Sequence, residues 1–449
     1  MSRSREIHAP RVLIFGYIGI IAIGTALLCL PVSTTRGISF IDALFTASSS
    51  LCVTGLIVKN TALDFTLFGK CIILMLIQIG GLGYMTLSTT FFFFLGRKIS
   101  LRDRVLFKES INILTFENLR RFAWRVFRIT IVLELIGTVL LYYAFQHRFT
   151  PLVALGHAFF HSVSAFCNAG FSSFSENLSL FSSSPSVALI AAALFITGGL
   201  GFIVISDLYM VFIKREKKWL SLHTRIVLRT TLILIGGGTL FILLYEGSRS
   251  LSGYAFFERI VPSFFQAVTP RTAGFNTVKI SFFSPITLVL LMLFMFIGAS
   301  PGGTGGGIKT TTFVLLIQWV KELLLGRYGK DISVSKKSIP VEQAYRSFVI
   351  VFLSAGVVFG AFFLIMLFDN PHPLKALFEV FSAIGTVGLS LGSSVSSYCS
   401  FSYDLSPISK LIIILVVITG RVGTITIGSA LLRPHPLDYK YTEEPIVVG

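Results

Sequence analysis

The residues best placed to do chemistry are four glycines, each preceded by small or hydroxyl-bearing residues. Glycine reaches positive φ without a side-chain clash, so the backbone beside it can turn successive carbonyl oxygens toward one axis. Carbonyl oxygens arranged in that way can replace the hydration shell of a monovalent cation. The predicted chemistry is therefore cation binding by backbone oxygens. The segments concerned are Val53, Thr54 and Gly55; Asn168, Ala169 and Gly170; Thr272, Ala273 and Gly274; and Thr386, Val387 and Gly388.

The four glycines recur at a nearly constant interval. They stand at positions 55, 170, 274 and 388, which are 115, 104 and 114 residues apart. A single glycine of this kind is more often a helix cap or a packing residue, but four in register favour an internal repeat. At roughly 20 residues for each membrane span, the interval fits two transmembrane helices and the segment between them.

A short apolar stretch precedes each glycine segment. Stretches of about 10 to 14 apolar residues are too short to cross a membrane and fit re-entrant helices better. Irregular backbone at membrane depth is tolerated only inside the protein or along a wet cavity, so we expect the four segments to converge. The stretches are Phe40 to Ser50, Leu152 to Phe166, Phe256 to Thr269 and Leu374 to Ile384.

Composition favours a polytopic membrane protein. Hydrophobic residues make up 53% of the chain and charged residues 13%, with uncharged runs such as Val12 to Pro31 and Val187 to Ile213. A soluble core could not bury so many apolar runs. The first run has the length of a full span, so we interpret it as a retained helix and not a signal peptide. The five cysteines show neither metal-ligand nor disulfide spacing.

The net charge of +17 raises the alternative of a nucleic-acid partner. However, 26 of the 38 Lys and Arg residues lie in the termini and the segments between repeats, against 10 within the repeats. The positive-inside rule places the first set, including both termini, in the cytoplasm. The lipid membrane, and no nucleic acid, is then the expected partner. Each repeat leaves and returns to the same side, so four parallel repeats surround a central pore.

The predicted fold is all-α, with eight transmembrane helices and four re-entrant pore helices. The repeats are placed at 12–95, 126–213, 226–325 and 346–432, and the cytoplasmic segments at 1–11, 96–125, 214–225, 326–345 and 433–449.

The third repeat contains a glycine-rich interruption. Its apolar segment from Pro285 to Leu325 is too long for one span, and residues 298–310 predict an intramembrane loop between two half-length helices. A phosphate-binding loop would need Gly and Lys to be adjacent, but Ile308 separates Gly307 from Lys309. In the other repeats, the paired glycines that begin at Gly80, Gly198 and Gly420 favour close helix packing.

Two basic residues fall within predicted spans, Lys309 and Arg421. Each costs roughly 2.5 to 3.5 kcal/mol at the bilayer centre on insertion scales, so we expect each to have a structural or functional role. Either they form a structural charge network with Asp207, or they place positive charge beside the cation path and help to gate it. Glu134 is expected to pair with a neighbouring helix.

These motifs together resemble the Trk/Ktr/HKT superfamily of potassium transporters, and most of all the membrane subunit of the bacterial Ktr system. The resemblance implies that the four glycine segments named first form a selectivity filter. It also implies a gate formed by Gly302, Gly303, Thr304, Gly305, Gly306 and Gly307, with Arg421 next to it and Lys309 close by. Only repeat four has Thr-Val-Gly, which implies weaker selectivity than that of a filter with four such copies.

The resemblance further implies a homodimer with one pore per subunit in a bacterial inner membrane. A cytosolic KtrA-like nucleotide-binding ring would control it, and sodium often stimulates such systems. Nucleotide binding would belong to that partner, so no cofactor is expected on this chain.

The predicted function is potassium uptake through the filter, and not an enzymatic reaction. The main alternative is a sodium-coupled symporter that binds its substrate at the broken helix of repeat three. A receptor or scaffold is a third possibility, but it would leave four aligned pore segments unexplained.

Overall fold

The computed structural model describes residues 9–83, 119–182, 184–327, 331–334, 337–396 and 398–431. Within these ranges the chain is mostly helical. The helices are α1 (Ala9–Leu28), α2 (Phe40–Leu51), α3 (Leu67–Leu82), α4 (Leu119–Phe145), α5 (Pro151–Phe166), α6 (Pro185–Leu200), α7 (Phe202–Leu208), α8 (Leu222–Glu246), α9 (Ile260–Val268), α10 (Pro285–Phe296), α11 (Thr310–Leu324), α12 (Val341–Asp369), α13 (Pro373–Gly385), α14 (Pro407–Val422) and α15 (Thr424–Leu431).

Within the described residues the helices follow one order four times: a long helix, a short helix, then a second helix, which is seen to be broken in the second, third and fourth of these sets. We call these sets units one to four, beginning at α1, α4, α8 and α12. Five helices begin with proline, whose missing N–H costs nothing at the first helical position: α5, α6, α10, α13 and α14. Hydroxyl caps start others, as where Ser39 accepts a hydrogen bond from the Asp42 N–H at the start of α2.

The units close into a ring. The second helix of each unit packs against the short helix of the next: α3 on α5, α6 on α9, and α10 on α13. Helix α14 of unit four packs back on α2 of unit one. The buried apolar clusters follow the same pattern, since Phe160, Val163 and Phe166 of α5 lie in the cluster centred on α1 to α3.

In the part of the chain that the structure describes, four helices are long and apolar enough to cross a membrane, or up to six spans if each bent pair counts as one. The prediction of a helical polytopic membrane protein is confirmed at this level. The arrangement with eight transmembrane helices stays a prediction. Repeat one was predicted to run to residue 95, and its part beyond Gly83 lies outside the described residues.

The structure departs from the predicted pattern in two places. A small antiparallel hairpin, β1 (Ile332–Val334) with β2 (Lys337–Ile339), lies in a segment expected to be cytoplasmic, so the chain is not strictly all-α. Helix α4 begins at Leu119 and α12 at Val341, several residues before the predicted repeats. The predicted boundaries followed the apolar runs, and Arg, Gln and Glu extend a helix as readily as apolar residues do.

Candidate functional site

The four glycine segments begin within four residues after the C-terminal ends of the short helices α2, α5, α9 and α13. Their glycines form a closed ring. A Cβ atom on Gly55 would lie 2.5 Å from the Ala169 carbonyl oxygen, and one on Gly170 would lie 3.0 Å from that of Ala273. Cβ atoms on Gly274 and Gly388 would in turn overlap the carbonyl oxygens of Val387 and Thr54. The sequence-predicted filter residues are thus brought together, each segment touching the next.

The backbone alternates in handedness along each segment. Each glycine has positive φ, from +69° at Gly170 to +93° at Gly388. The residue two positions before it also has positive φ, while the residue between them does not. Such alternation turns neighbouring carbonyl groups toward the same side of the chain. The leading residues are Val53 (φ 56°), Asn168 (φ 59°), Thr272 (φ 76°) and Thr386 (φ 48°).

Three of these leading residues are β-branched, a class that rarely adopts positive φ. Each such residue costs roughly 1–3 kcal/mol and persists only where its surroundings fix it. All four are fully buried. The ring is therefore a strained structure held in place by the helices around it.

Hydroxyl groups near the ends of the short helices form hydrogen bonds that fix the backbone of the glycine segments. Ser49 accepts a hydrogen bond from the Gly55 N–H at 3.1 Å and donates one to the Leu56 carbonyl at 2.8 Å. Ser164, Thr269 and Ser382 make equivalent bonds to Phe171, Phe275 and Gly388. Sequence reasoning missed these residues, although the signal was present: a hydroxyl six positions before the glycine, or five in unit three.

A large polar cavity opens on one side of the ring. It has a volume of about 480 Å³, and all four ring glycines line it. The residues that follow the glycines line its walls with hydroxyl and amide groups, including Asn60, Ser172, Asn276 and Ser390. Glu176 and Lys279 are the charged residues of the lining. A hydrated ion can therefore reach the ring from this side.

The glycine-rich loop lies on the opposite side of the ring, between α10 and α11. A Cβ atom on Gly305 would overlap the Thr272 hydroxyl, and the Gly306 N–H donates to the Thr386 hydroxyl at 2.8 Å. The Thr304 hydroxyl donates to the Phe166 carbonyl at the end of α5. The loop therefore crosses beneath the ring and contacts the residues that lead into it.

Lys309 and Arg421 both hold this loop. The Lys309 ammonium donates to the Gly305 carbonyl at 2.7 Å, and Arg421 donates to the carbonyls of Thr304 and Gly80. Arg421 thus joins the loop to the end of α3. Among the described residues neither cation forms a salt bridge.

Of the two alternatives left open for Lys309 and Arg421, the charge network with Asp207 is wrong. That carboxylate binds Lys217 Nζ at 2.9 Å, the Ser221 N–H at 2.9 Å and the Thr224 hydroxyl at 2.7 Å. The reason is the break between α6 and α7, which turns the chain by 99°. Asp207 is thereby carried away from the loop, although its distance along the sequence from the ring glycine is similar to that of Lys309.

Glu134 pairs with a neighbouring helix, as predicted. Its carboxylate accepts a hydrogen bond from Gln78 Nε2 of α3 at 3.2 Å, and its backbone carbonyl accepts one from the Ser162 hydroxyl of α5 at 2.6 Å. The residue is buried between three helices of units one and two. Glu134 therefore lies in the packing between units one and two, where its carboxylate also accepts a hydrogen bond from the Cys167 thiol, next to the ring residue Asn168.

The paired glycines of the second helices have two roles, of which sequence analysis found one. Cβ atoms on Gly80, Gly198 and Gly420 would overlap carbonyls in the last turns of the adjoining short helices, so these glycines allow close packing. The glycines at the ends of the same motifs have positive φ, as Gly201 (+93°) and Gly423 (+100°) do. They bend the chain by 99° and 103°, and these bends were not predicted.

The arrangement offers oxygen ligands and an aqueous entrance. Among the described residues there is no group of three or more His, Cys, Asp or Glu side chains that could hold a metal ion. All five cysteines are free thiols. The chemistry that this geometry supports is the binding and passage of a cation.

Comparison with known proteins also indicates cation transport. A family model described as "TrkH: Cation transport protein" matches residues 17–438. The chain is 37% identical over 442 residues to the Ktr system potassium uptake protein B of Bacillus subtilis, covering 98% of this chain and 96% of that protein. It is 35% identical over 444 residues to the potassium/sodium uptake protein NtpJ of Enterococcus hirae, covering 97% and 96%.

A solved structure has a similar fold. The potassium transporter TrkH from Vibrio parahaemolyticus superposes with a TM-score of 0.76, covering 96% of this chain and 87% of that chain. The sequence identity of the pair is 21%, so this likeness concerns the fold alone.

Proposed function

Since the chain belongs to the TrkH family of cation transport proteins, we propose that it takes up potassium through the ring of four glycine segments. Transport, and not an enzymatic reaction, is the activity of this family. Two relatives that align over nearly the whole chain carry potassium uptake in their names. The chain is a potassium uptake transporter of the Trk/Ktr type.

The single observation that carries the finer proposal is the position of the ring between the cavity and the loop. A hydrated ion enters the cavity of about 480 Å³ and exchanges water for carbonyl oxygens at the ring. The carbonyls of Thr54, Ala169, Ala273 and Val387 are the candidate ligands, because each lies against the glycine of the adjoining segment. Conduction also requires that the ring bind the ion weakly enough to release it.

The glycine-rich loop is the proposed gate. It lies on the side of the ring away from the cavity, where an ion that has left the ring would pass next. Lys309 and Arg421 hold it there through its carbonyl groups. Their positive charges also oppose a cation at that point, since no acidic partner among the described residues neutralises them.

We further propose a homodimer in a bacterial inner membrane, with both termini in the cytoplasm. A cytosolic KtrA-like nucleotide-binding subunit would control the gate and sodium would stimulate it. The support is the distribution of Lys and Arg along the chain and the word "system" in the name of the relative from Bacillus subtilis.

The symporter alternative has less support. The break between α10 and α11 is filled by its own loop, and the cavity beside Gly307 and Ile308 has a volume of about 40 Å³. A site of that size holds roughly one to three water molecules, which is too little for an organic solute.

Ion flux into liposomes that contain the purified protein tests the proposal. Potassium and rubidium should enter down their gradients, and faster than sodium. Accumulation of an organic solute against its gradient, driven by sodium, would instead establish the symporter. Absence of any flux from folded, inserted protein would leave only a receptor or scaffold.

A further inference from the structure

The loop and the ring are in direct contact through two threonines. The Thr386 hydroxyl, which is fully buried, accepts the Gly306 N–H at 2.8 Å. The Thr272 hydroxyl lies so close to Gly305 that a Cβ atom there would overlap it. Both threonines lead into ring glycines and both have positive φ, 48° and 76°. The loop therefore touches the strained residues that set the course of the ring backbone.

The leading residues of the four segments do not all contact the loop in the same way. Thr272 also shares a hydrogen bond with the Asn168 side chain at 2.9 Å, so units two and three are joined at this level. Val53 holds the equivalent position in unit one and has no hydroxyl to offer. Of the four leading side chains, Thr386 is the one that accepts a hydrogen bond from the loop backbone.

We propose that Thr386 is a positioning residue that couples the loop to the ring, so that movement of the loop changes ion selectivity as well as flux. The left-handed conformation of a β-branched residue persists only while its surroundings fix it. When the loop moves away, Thr386 loses the partner of its hydroxyl, and the backbone that leads to Gly388 is free to relax. This inference rests on the proposed function, since it assumes that the ring selects ions and that the loop is a gate.

The coupling must act in both directions. If the position of the loop changes the affinity of the ring for an ion, then the ion changes the position of the loop by the same factor. A potassium ion and a sodium ion in the ring should therefore hold the loop to different extents. The identity of the permeant ion thereby affects how often the gate is open.

The test compares Thr386→Val with Thr386→Ser in liposomes, without any regulatory subunit. Valine keeps the shape and the β-branching but leaves the Gly306 N–H buried without a partner when the loop is in place. Such a loss typically shifts an equilibrium about tenfold. We expect Thr386→Val to raise rubidium flux by that order and to lower the potassium-to-sodium permeability ratio severalfold. Serine keeps the hydroxyl, so Thr386→Ser should restore both values toward those of the parent.

A second variant tests the coupling from the loop side and leaves the ring sequence unchanged. Gly305→Ala adds a methyl group against the Thr272 hydroxyl, and Gly305 does not have positive φ. It should therefore shift the permeability ratio. Thr197→Val is the matched control, because that hydroxyl donates to the Ala193 carbonyl of its own helix at 2.9 Å and should leave both readings unchanged.

The possible outcomes distinguish a failure of the proposed coupling from a failure of the proposed function. A flux increase with an unchanged permeability ratio in both Thr386→Val and Gly305→Ala would overturn the coupling and leave the loop as a simple barrier. Equal behaviour of Thr386→Val and Thr386→Ser would also overturn it. If neither the parent protein nor the protein that lacks residues 302–307 conducts potassium, it is the proposed function that fails.

Discussion

Replacing Gly55 by serine changes one quarter of the ring and leaves the other three quarters as they are. Gly55 has φ +89°, where an L-residue costs roughly 1–2 kcal/mol. The new Cβ atom would lie 2.5 Å from the Ala169 carbonyl oxygen. The usual lower limit for such a carbon–oxygen contact is about 3.3 Å, so one of the two groups has to move by roughly 0.8 Å.

This displacement falls on a proposed potassium ligand. We expect the potassium-to-sodium permeability ratio to fall about tenfold, which corresponds to roughly 1.4 kcal/mol and lies within the strain introduced. The ratio can be measured from reversal potentials, or from rubidium and sodium uptake into liposomes.

Gly37→Ser is the matched control for the cost of placing a non-glycine residue at positive φ. Gly37 has φ +78°, and a Cβ atom there would meet no atom within 4 Å. That variant should lose a similar amount of stability and keep the parent permeability ratio. If Gly55→Ser also keeps the parent ratio while it folds and conducts, Gly55 does not help to select the ion.

Three further outcomes follow from the site and its surroundings. Deletion of residues 302–307 should raise potassium flux and make it less dependent on a regulator, and Arg421→Ala should do the same more weakly, because Lys309 still holds the loop; flux no higher than that of the parent in the folded deletion protein would refute the gate. Neutralising basic residues in 96–128 should weaken binding of a cytosolic partner, with a smaller effect at high salt; undiminished capture at low salt would contradict this. Gly80→Ala should lower the yield of folded protein because its methyl group would overlap a carbonyl at the end of α2, whereas Gly19→Ala, which meets no atom within 4 Å, should not; equal yields would refute the packing argument.

The family and the helical membrane fold could be predicted from the sequence because the decisive features are local and repeated. The short helices lie close to the stretches predicted for them, as α5 (Pro151–Phe166) does for the stretch from Leu152 to Phe166. Their apolar character and the following glycine are both visible in a short window of residues. The resemblance to the Trk/Ktr/HKT superfamily is likewise confirmed by the family match over residues 17–438.

Other features depend on contacts between distant parts of the chain, which a sequence pattern does not record. The bends at Gly201 and Gly423 need positive φ, but a glycine within an apolar helix fits a packing role equally well. The position of Asp207 depends on one of these bends. The bond from Gly306 to Thr386 joins residues 80 positions apart, and nothing in either local sequence indicates it.

Because the four segments of the ring belong to one polypeptide, a single codon change alters a single quarter. In a channel built from four identical subunits, the same change would be imposed four times at once. The segments have already diverged, with Val53, Asn168, Thr272 and Thr386 at equivalent positions. Substitutions can therefore change the ring in steps of one quarter.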